Sequence, residues 1–277
     1  MNSNQPAVDV ASAGTSASAG AGGQRGDGQA SAGQVDAGQV DAGQVDAEPL
    51  DAGATSATPR SYSPCPNNGE VCEILPLGDS ITFGLYDWIG AGLDASDGGY
   101  RVELFRKASA DAKNITFVGS LSNGPQQVDG NDFPRAHEGH NSWAISQVAS
   151  LIPSPALDQK PQIILLMAGT NDLWQGPDGA PERLDALIGN IVTALPNSVL
   201  VVAQIMPSSL GDPQAFNTSV KRLVQARVDK GEHVVIVDMY TPFAKDESLT
   251  TDGIHPNKQG YVVMAQVWYD AIKDILR

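Results

Sequence analysis

From Val71 onward the chain alternates short runs of Val, Ile and Leu with longer stretches in which apolar residues recur at helical spacing. The short runs are Val71–Leu77, Ile115–Val118, Ile163–Met167, Val199–Ile205 and Val234–Val237. Continuous apolar runs of this length suit strands buried on both faces, as in a parallel sheet. Between them, Leu184, Leu187, Ile188, Ile191, Val192 and Leu195 mark one face of a helix. Further helices are predicted over Tyr100–Ala110, over Pro213–Lys230 behind an Asp212 cap, and over Asn257–Leu276. This alternation predicts an α/β fold: a parallel sheet of about five strands with helices on both faces, and an active site outside the carboxyl ends of the strands.

Upstream the pattern vanishes. The first sixty residues are almost entirely Ala, Gly, Ser, Gln and Asp, hold no aromatic residue, and repeat A-G-Q-V-D three times between Ala32 and Asp46. Such a segment cannot bury enough apolar surface to offset its ordering entropy, and five residues are too few for a solenoid unit. Residues 1–62 therefore read as a flexible low-complexity leader and residues 63–277 as a single domain. The net charge of −15 is carried partly by this leader, but the domain is acidic too. That balance disfavours nucleic acid and anionic membranes as partners and favours neutral substrates.

No apolar run approaches the eighteen or so residues of a membrane span. The start, M-N-S-N-Q-P-A-V, is not a signal peptide. Cys65 and Cys72, in C-P-N-N-G-E-V-C, suggest a disulfide stapling the entering chain to the domain edge and hence export, with two reduced cysteines as the alternative. Their spacing is wrong for a zinc knuckle, and no metal site is expected. The expected location is secreted or extracytoplasmic, with tethering through the leader left open, and the expected state is a monomer.

Polar clusters follow three of the predicted strands. P-L-G-D-S-I-T-F-G puts Ser80 on a strand-to-helix turn, A-G-T-N-D-L-W brings Asn171 and Asp172, and T-D-G-I-H-P-N brings Asp252 and His255. A serine hydroxyl needs a base within reach to act as a nucleophile. His255 is that candidate: Pro256 biases it toward extended backbone, so that one ring nitrogen can face Asp252 and the other Ser80. Taken alone, D-G-I-H-P-N is a Gly/Pro/Asn turn before the last helix; the other two clusters give it a catalytic context.

These blocks resemble the SGNH, or GDSL, hydrolase superfamily. The longer strings L-P-L-G-D-S-I-T, H-E-G-H, G-T-N-D and D-G-I-H-P-N, followed by G-Y-x-x-M-A, resemble carbohydrate esterase family three, the acetylxylan esterases. The resemblance implies a three-layer α/β/α, flavodoxin-like fold and a serine esterase that deacetylates polysaccharide through Ser80, His255 and Asp252. It also implies an oxyanion hole made by the Ser80 amide, the Asn171 side chain and a second-block amide. At that last position the family has glycine and this chain has Ser142, so a required positive φ would strain it; Gly139 is the fallback donor.

Asp172 is expected to fix its loop, and His137, His140 and His233 to be structural. Trp268 reads as core. Trp88, Trp143 and Trp174 lie near the predicted rim, where an aromatic face can stack on a sugar or simply pack; Trp143 and Trp174 are the expected substrate contacts. The sequons at Asn114 and Asn217 suggest surface positions. No phosphate-binding loop is present and no cofactor is expected. The partner is an acetylated polysaccharide or a small acyl ester. A lipid or thioester hydrolase of the same fold and a non-catalytic carbohydrate-binding module are the competing readings.

A chain shortened to begin near Ser61 is expected to keep its esterase activity and melting temperature. A large loss of either would show that the leader packs on the domain.

Overall fold

A computed structural model describes residues 62–86 and 97–277. The low-complexity leader, Trp88 and most of the stretch between Gly84 and Gly99 lie outside these described residues. Among the described residues six strands form the parallel part of the main sheet: β1 (Cys72–Gly78), β2 (Ile115–Phe117), β3 (Ala136–Gly139), β4 (Ile163–Met167), β5 (Val199–Ala203) and β6 (Val234–Val237). Every residue of β4 and β5 is buried, which is why their sequences are unbroken apolar runs.

Strand β1 is central. It pairs along its length with β4, from Ile74 opposite Ile163 to Gly78 opposite Met167. Its other edge is shared: β2 pairs with Cys72, Glu73 and Ile74, and β3 pairs with Leu77 and Gly78. Beyond β4 lie β5 and then β6, all parallel. The chain thus builds outward from β1 on one side and then crosses to build on the other. The carboxyl end of β1 is therefore a topological switch point, where a crevice opens in sheets of this kind.

The five predicted strands are all present, and β3 is an addition. Its sequence A-H-E-G gave no apolar signal because the buried residues, His137 and Glu138, are polar. A two-residue strand, Leu121–Ser122, pairs antiparallel with β3 at the sheet edge. Strand β5 ends at Ala203, two residues before the apolar run does. At Ile205 the backbone N–H donates to Asn217 Oδ1 (2.9 Å) and the carbonyl accepts from Asn217 Nδ2 (2.8 Å), so a side chain replaces the neighbouring strand.

Among the described residues eight α-helices complete the layers: α1 (Ser80–Phe83), α2 (Tyr100–Ala110), α3 (Ile145–Ala149), α4 (Asp172–Gln175), α5 (Ala180–Ala194), α6 (Gln214–Val228), α7 (Tyr240–Lys245) and α8 (Lys258–Ile272). Helices α2 and α8 pack together, and α5 packs with α3 and α6. The apolar stripe of α5 is buried through Leu184, Leu187, Ile188 and Ile191, as its spacing predicts, and Trp268 of α8 is fully buried. Asp212 accepts from Gln214 N–H (2.9 Å) at the start of α6, although Pro213 occupies the cap position itself.

The entering chain is fastened at the amino-terminal end of the strands. Cys65 and Cys72 form a disulfide at the start of β1. Tyr62 stacks on His233, just before β6, with ring centres 3.9 Å apart, and its hydroxyl donates to the carbonyl of Asn197, just before β5. Asn114 is exposed, but Asn217 is buried, contrary to the surface position its sequon suggests, because it serves as the backbone partner of Ile205.

Replacing Asn217 with Ala strands two buried backbone groups and should lower unfolding stability by about 2 kcal/mol in a urea titration. A loss below about 0.5 kcal/mol, the level of an ordinary surface change, would contradict that role.

Candidate active site

The path to Ser80 begins with backbone contact. At Gly78 a Cβ would lie 2.2 Å from the Met167 carbonyl oxygen, so β1 and β4 come together here only because the side chain is missing. Asp79 then caps α1, its Oδ1 accepting from Ile81 N–H (3.0 Å) while its carbonyl accepts from Phe83 N–H (3.0 Å). On the other side Gly139 of β3 fits beneath this turn, where a Cβ would lie 2.2 Å from Phe83 N. Ser80 is thereby placed at the switch point as the first residue of a one-turn helix.

His255 arrives from the loop between α7 and α8. Its Nε2 lies 2.9 Å from Ser80 Oγ, and its Nδ1 lies 2.7 Å from Asp252 Oδ2. The second carboxylate oxygen of Asp252 accepts from the N–H groups of Ile254 (2.9 Å) and His255 (2.7 Å). A carboxylate can only accept, so the Nδ1 proton faces Asp252 and the Nε2 lone pair faces the serine hydroxyl. The turn is held from outside by Ser209 N–H donating to Gly253 O (2.9 Å) and internally by Thr251 N–H donating to His255 O (2.9 Å). Such an arrangement can deprotonate a serine as it attacks and stabilise the imidazolium that results.

Ser142 and Asn171, the expected donors besides Ser80, line the same cavity as the hydroxyl. Ser142 has φ +65°, the left-handed geometry in which a glycine is unstrained and a serine is not. No acceptor among the described residues engages the backbone N–H of Ser80 or Ser142. Gly139 is different: its N–H donates to His137 Nδ1 (3.0 Å), which removes it as the fallback donor. Asn171 Nδ2 donates one hydrogen to the Trp143 carbonyl (3.0 Å), which fixes the amide plane and leaves the second hydrogen for a ligand.

Ser80, Ser142, Asn171 and His255 line one cavity of about 300 Å³ together with Trp174, Leu210 and Ile254. Trp174 is 60% exposed and forms its outer edge. Trp143 is not among the lining residues, because its ring stacks on His140 with centres 4.0 Å apart, and it is the Trp143 carbonyl that serves the site. His140 is held in turn by Glu138 (2.8 Å), so both histidines of H-E-G-H work within the structure, from a strand end rather than a loop. Leu210 and Ile254 were not singled out from the sequence. Their only signal is position, in loops that follow β5 and flank His255.

Two carboxyls are buried behind the serine. Asp172 accepts from Ile145 N–H (2.9 Å) with one oxygen and from Arg183 (2.8 Å) with the other, and so ties α4 to α3 and α5. Asp79 is fully buried, and burial, reinforced by the charge of Asp172, pushes its pKa up to about 7 against the opposing hydrogen bond from Ile81. Burial likewise pushes His137 down to about 2, with Arg101 and His140 adding to the effect, so its imidazole is neutral and free to accept from Gly139.

The Asp79 shift has a sign that can be tested. A carboxyl whose folded pKa is raised from 3.8 to about 7 favours the fold most below pH 4 and loses that contribution as pH rises to 7. Asparagine keeps the capping oxygen but cannot ionise. The melting temperature of Asp79→Asn should therefore gain on that of the wild type between pH 4 and 7 and hold its lead above; parallel curves would contradict the shift.

The GDSL-like Lipase/Acylhydrolase family matches residues 77–263. A multidomain esterase of Ruminococcus flavefaciens is 28% identical over 236 residues, which are 74% of this chain but 29% of that protein, so the chain spans less than a third of that relative. The structure of a Clostridium thermocellum family 3 carbohydrate esterase aligns with TM-score 0.63 at 30% identity, covering 74% of this chain and 97% of that one. A carbohydrate esterase family 3 structure from Talaromyces cellulolyticus shares the fold, with TM-score 0.62 at 23% identity over 74% of this chain and 98% of that one. With the match running from the end of β1 into α8 and so enclosing all three polar blocks, the chain belongs to the GDSL-like lipase/acylhydrolase (SGNH) family.

Proposed function

We propose that this esterase removes short acyl groups, acetyl foremost, from the hydroxyls of a polysaccharide, with acetylated xylan as the leading candidate. The observation that carries the proposal is the continuous Ser80–His255–Asp252 relay opening into a small cavity with apolar walls. About 300 Å³ is at the low end of small-molecule sites, a size that suits an acetyl group better than a long acyl chain. Leu210 and Ile254 offer the acyl methyl an apolar wall, and the exposed Trp174 offers a flat face to a sugar ring.

In this reading Ser80 Oγ attacks the ester carbonyl carbon as His255 Nε2 takes its proton. Negative charge collects on the carbonyl oxygen, where the N–H groups of Ser80 and Ser142 and the second Asn171 amide hydrogen stabilise it. The intermediate collapses with cleavage of the bond to the sugar oxygen, which leaves as an alcohol with the proton from His255. Water then attacks the acyl-serine, giving its proton to His255, and acetic acid departs as that proton returns to Ser80. Asp252 keeps its charge throughout and orients the ring. The Cys65–Cys72 disulfide suits an oxidising compartment and supports a reading in which the reaction takes place outside the cytoplasm.

Two measurements check the assignment. Ser80→Ala should lower turnover by roughly 10⁴- to 10⁶-fold with the fold intact by circular dichroism, and Asn171→Ala should lower kcat by about 10²- to 10³-fold with little change in KM. Near wild-type rates in either variant would remove that residue from the mechanism. Acetate release from acetylated xylan should far outpace hydrolysis of a long-chain p-nitrophenyl ester, and the reverse order would favour a lipid substrate.

A further inference from the structure

Ser142 presents its amide from a β-turn closed by Trp143 N–H donating to the His140 carbonyl (3.3 Å). Ser142 is the third residue of that turn, at φ +65°, where turns of this geometry call for glycine. A residue with a Cβ is driven to return to negative φ. Doing so rotates the peptide on one side of Ser142 relative to the peptide on the other, and the Ser142 N–H turns with the first of them. The direction of this donor therefore depends on whatever holds the surrounding peptides.

What holds them comes from one short helix, α4, and from Asn171 at its cap. Asn171 Nδ2 donates to the Trp143 carbonyl (3.0 Å), Asp172 Oδ2 accepts from Ile145 N–H (2.9 Å), and Gln175 Nε2 donates to the Ser142 carbonyl (2.9 Å). Helix α4 is anchored in turn by Arg183, which binds Asp172 Oδ1 (2.8 Å), the Asp178 carbonyl (2.7 Å) and the Gly176 carbonyl. Of the three gripping side chains, Asn171 is read as an oxyanion donor and Asp172 as a buried ion-pair partner. Gln175 is exposed, and the Ser142 carbonyl is the partner its side chain engages.

We infer that Gln175 is a positioning residue for the oxyanion hole: its amide pins the Ser142–Trp143 peptide, holds the strained serine in its left-handed conformation and keeps the Ser142 N–H directed at the reacting carbonyl. The inference rests on Ser142 being a donor, as proposed above. Gln175 touches neither substrate nor the reacting atoms. Its effect is confined to the step in which the oxyanion forms, so it moves kcat and leaves KM alone. It also compensates for this chain's departure from glycine. A glycine at position 142 has no drive to leave positive φ and gains little from the brace.

The test compares kcat and KM on p-nitrophenyl acetate for the full chain and for Gln175→Ala, Gln175→Glu, Ser142→Gly and the double variant Ser142→Gly/Gln175→Ala. Glutamate keeps the shape of the side chain and loses the donor. Gln175→Ala and Gln175→Glu are each expected to lower kcat by about three- to tenfold, the worth of one hydrogen bond, with KM and melting temperature near wild type. In the Ser142→Gly background, loss of Gln175 should cost less than half as much on a logarithmic scale. Separately, the Ser142 amide proton should move downfield in the NMR spectrum when Ser80 is phosphonylated by an organophosphate. An amide proton that does not move shows that Ser142 is not a donor, and the inference about Gln175 falls with that reading. A shifted proton together with wild-type kcat in Gln175→Glu, or an equal loss in both backgrounds, overturns the inference alone.

Discussion

Everything at this site depends on how closely three backbones approach at the end of β1. Ser80 must meet an imidazole 175 residues away in sequence at 2.9 Å. It does so because Gly78 lets β1 lie against Met167 of β4, and Gly139 lets β3 lie beneath the turn of α1. A side chain at either glycine would push Ser80 away from His255, because the nearest atom it would meet is backbone and cannot step aside. The switch-point topology supplies a crevice; these two contacts set its floor.

Upon that floor the proposed catalytic groups are fixed mostly by local hydrogen bonds, which is economical in a chain of this size. Asp252 orients His255 within a four-residue turn by accepting from its backbone as well as its ring. Asn171, Asp172 and Gln175 hold the segment around Ser142 from a single short helix and its cap. The arrangement concentrates negative charge behind the serine, where Asp79 and Asp172 are both buried. Arg183 neutralises one of them, and the raised pKa of the other keeps much of its charge off at neutral pH. A left-handed serine is a further local cost, of a kind that folded proteins tolerate at functional sites when the surroundings hold it in place.

Much of this was legible in the sequence, for reasons that differ by element. Strands β4 and β5 could be read because burial on both faces demands unbroken apolar runs, and α5 because burial on one face imposes a helical period. Ser80, Asn171, Asp252 and His255 could be placed because their blocks follow predicted strands and resemble a family. The strain at Ser142 was legible as a serine standing where that family has glycine. Strand β3 was not, since its buried residues are polar and gave no hydropathic signal. The ring of Trp143 turned to His140 rather than to the cavity, a choice of rotamer that sequence spacing does not encode. Asn217 matched a surface motif and is buried, because three residues of sequence carry no information about which backbone an asparagine will satisfy. Gln175 gave no signal at all: its partner is a carbonyl 33 positions away, with no side-chain chemistry to mark it.

In the proposed mechanism the acyl group passes through Ser80. An activated aryl acetate makes deacylation the slower half of the reaction, so the enzyme quenched in acid during the first turnover should be one acetyl group heavier by intact-protein mass spectrometry. Peptide mapping should place that acetyl on Ser80. An acetyl group on another side chain, or full turnover with no acylated enzyme at any time before the steady state, would contradict the account.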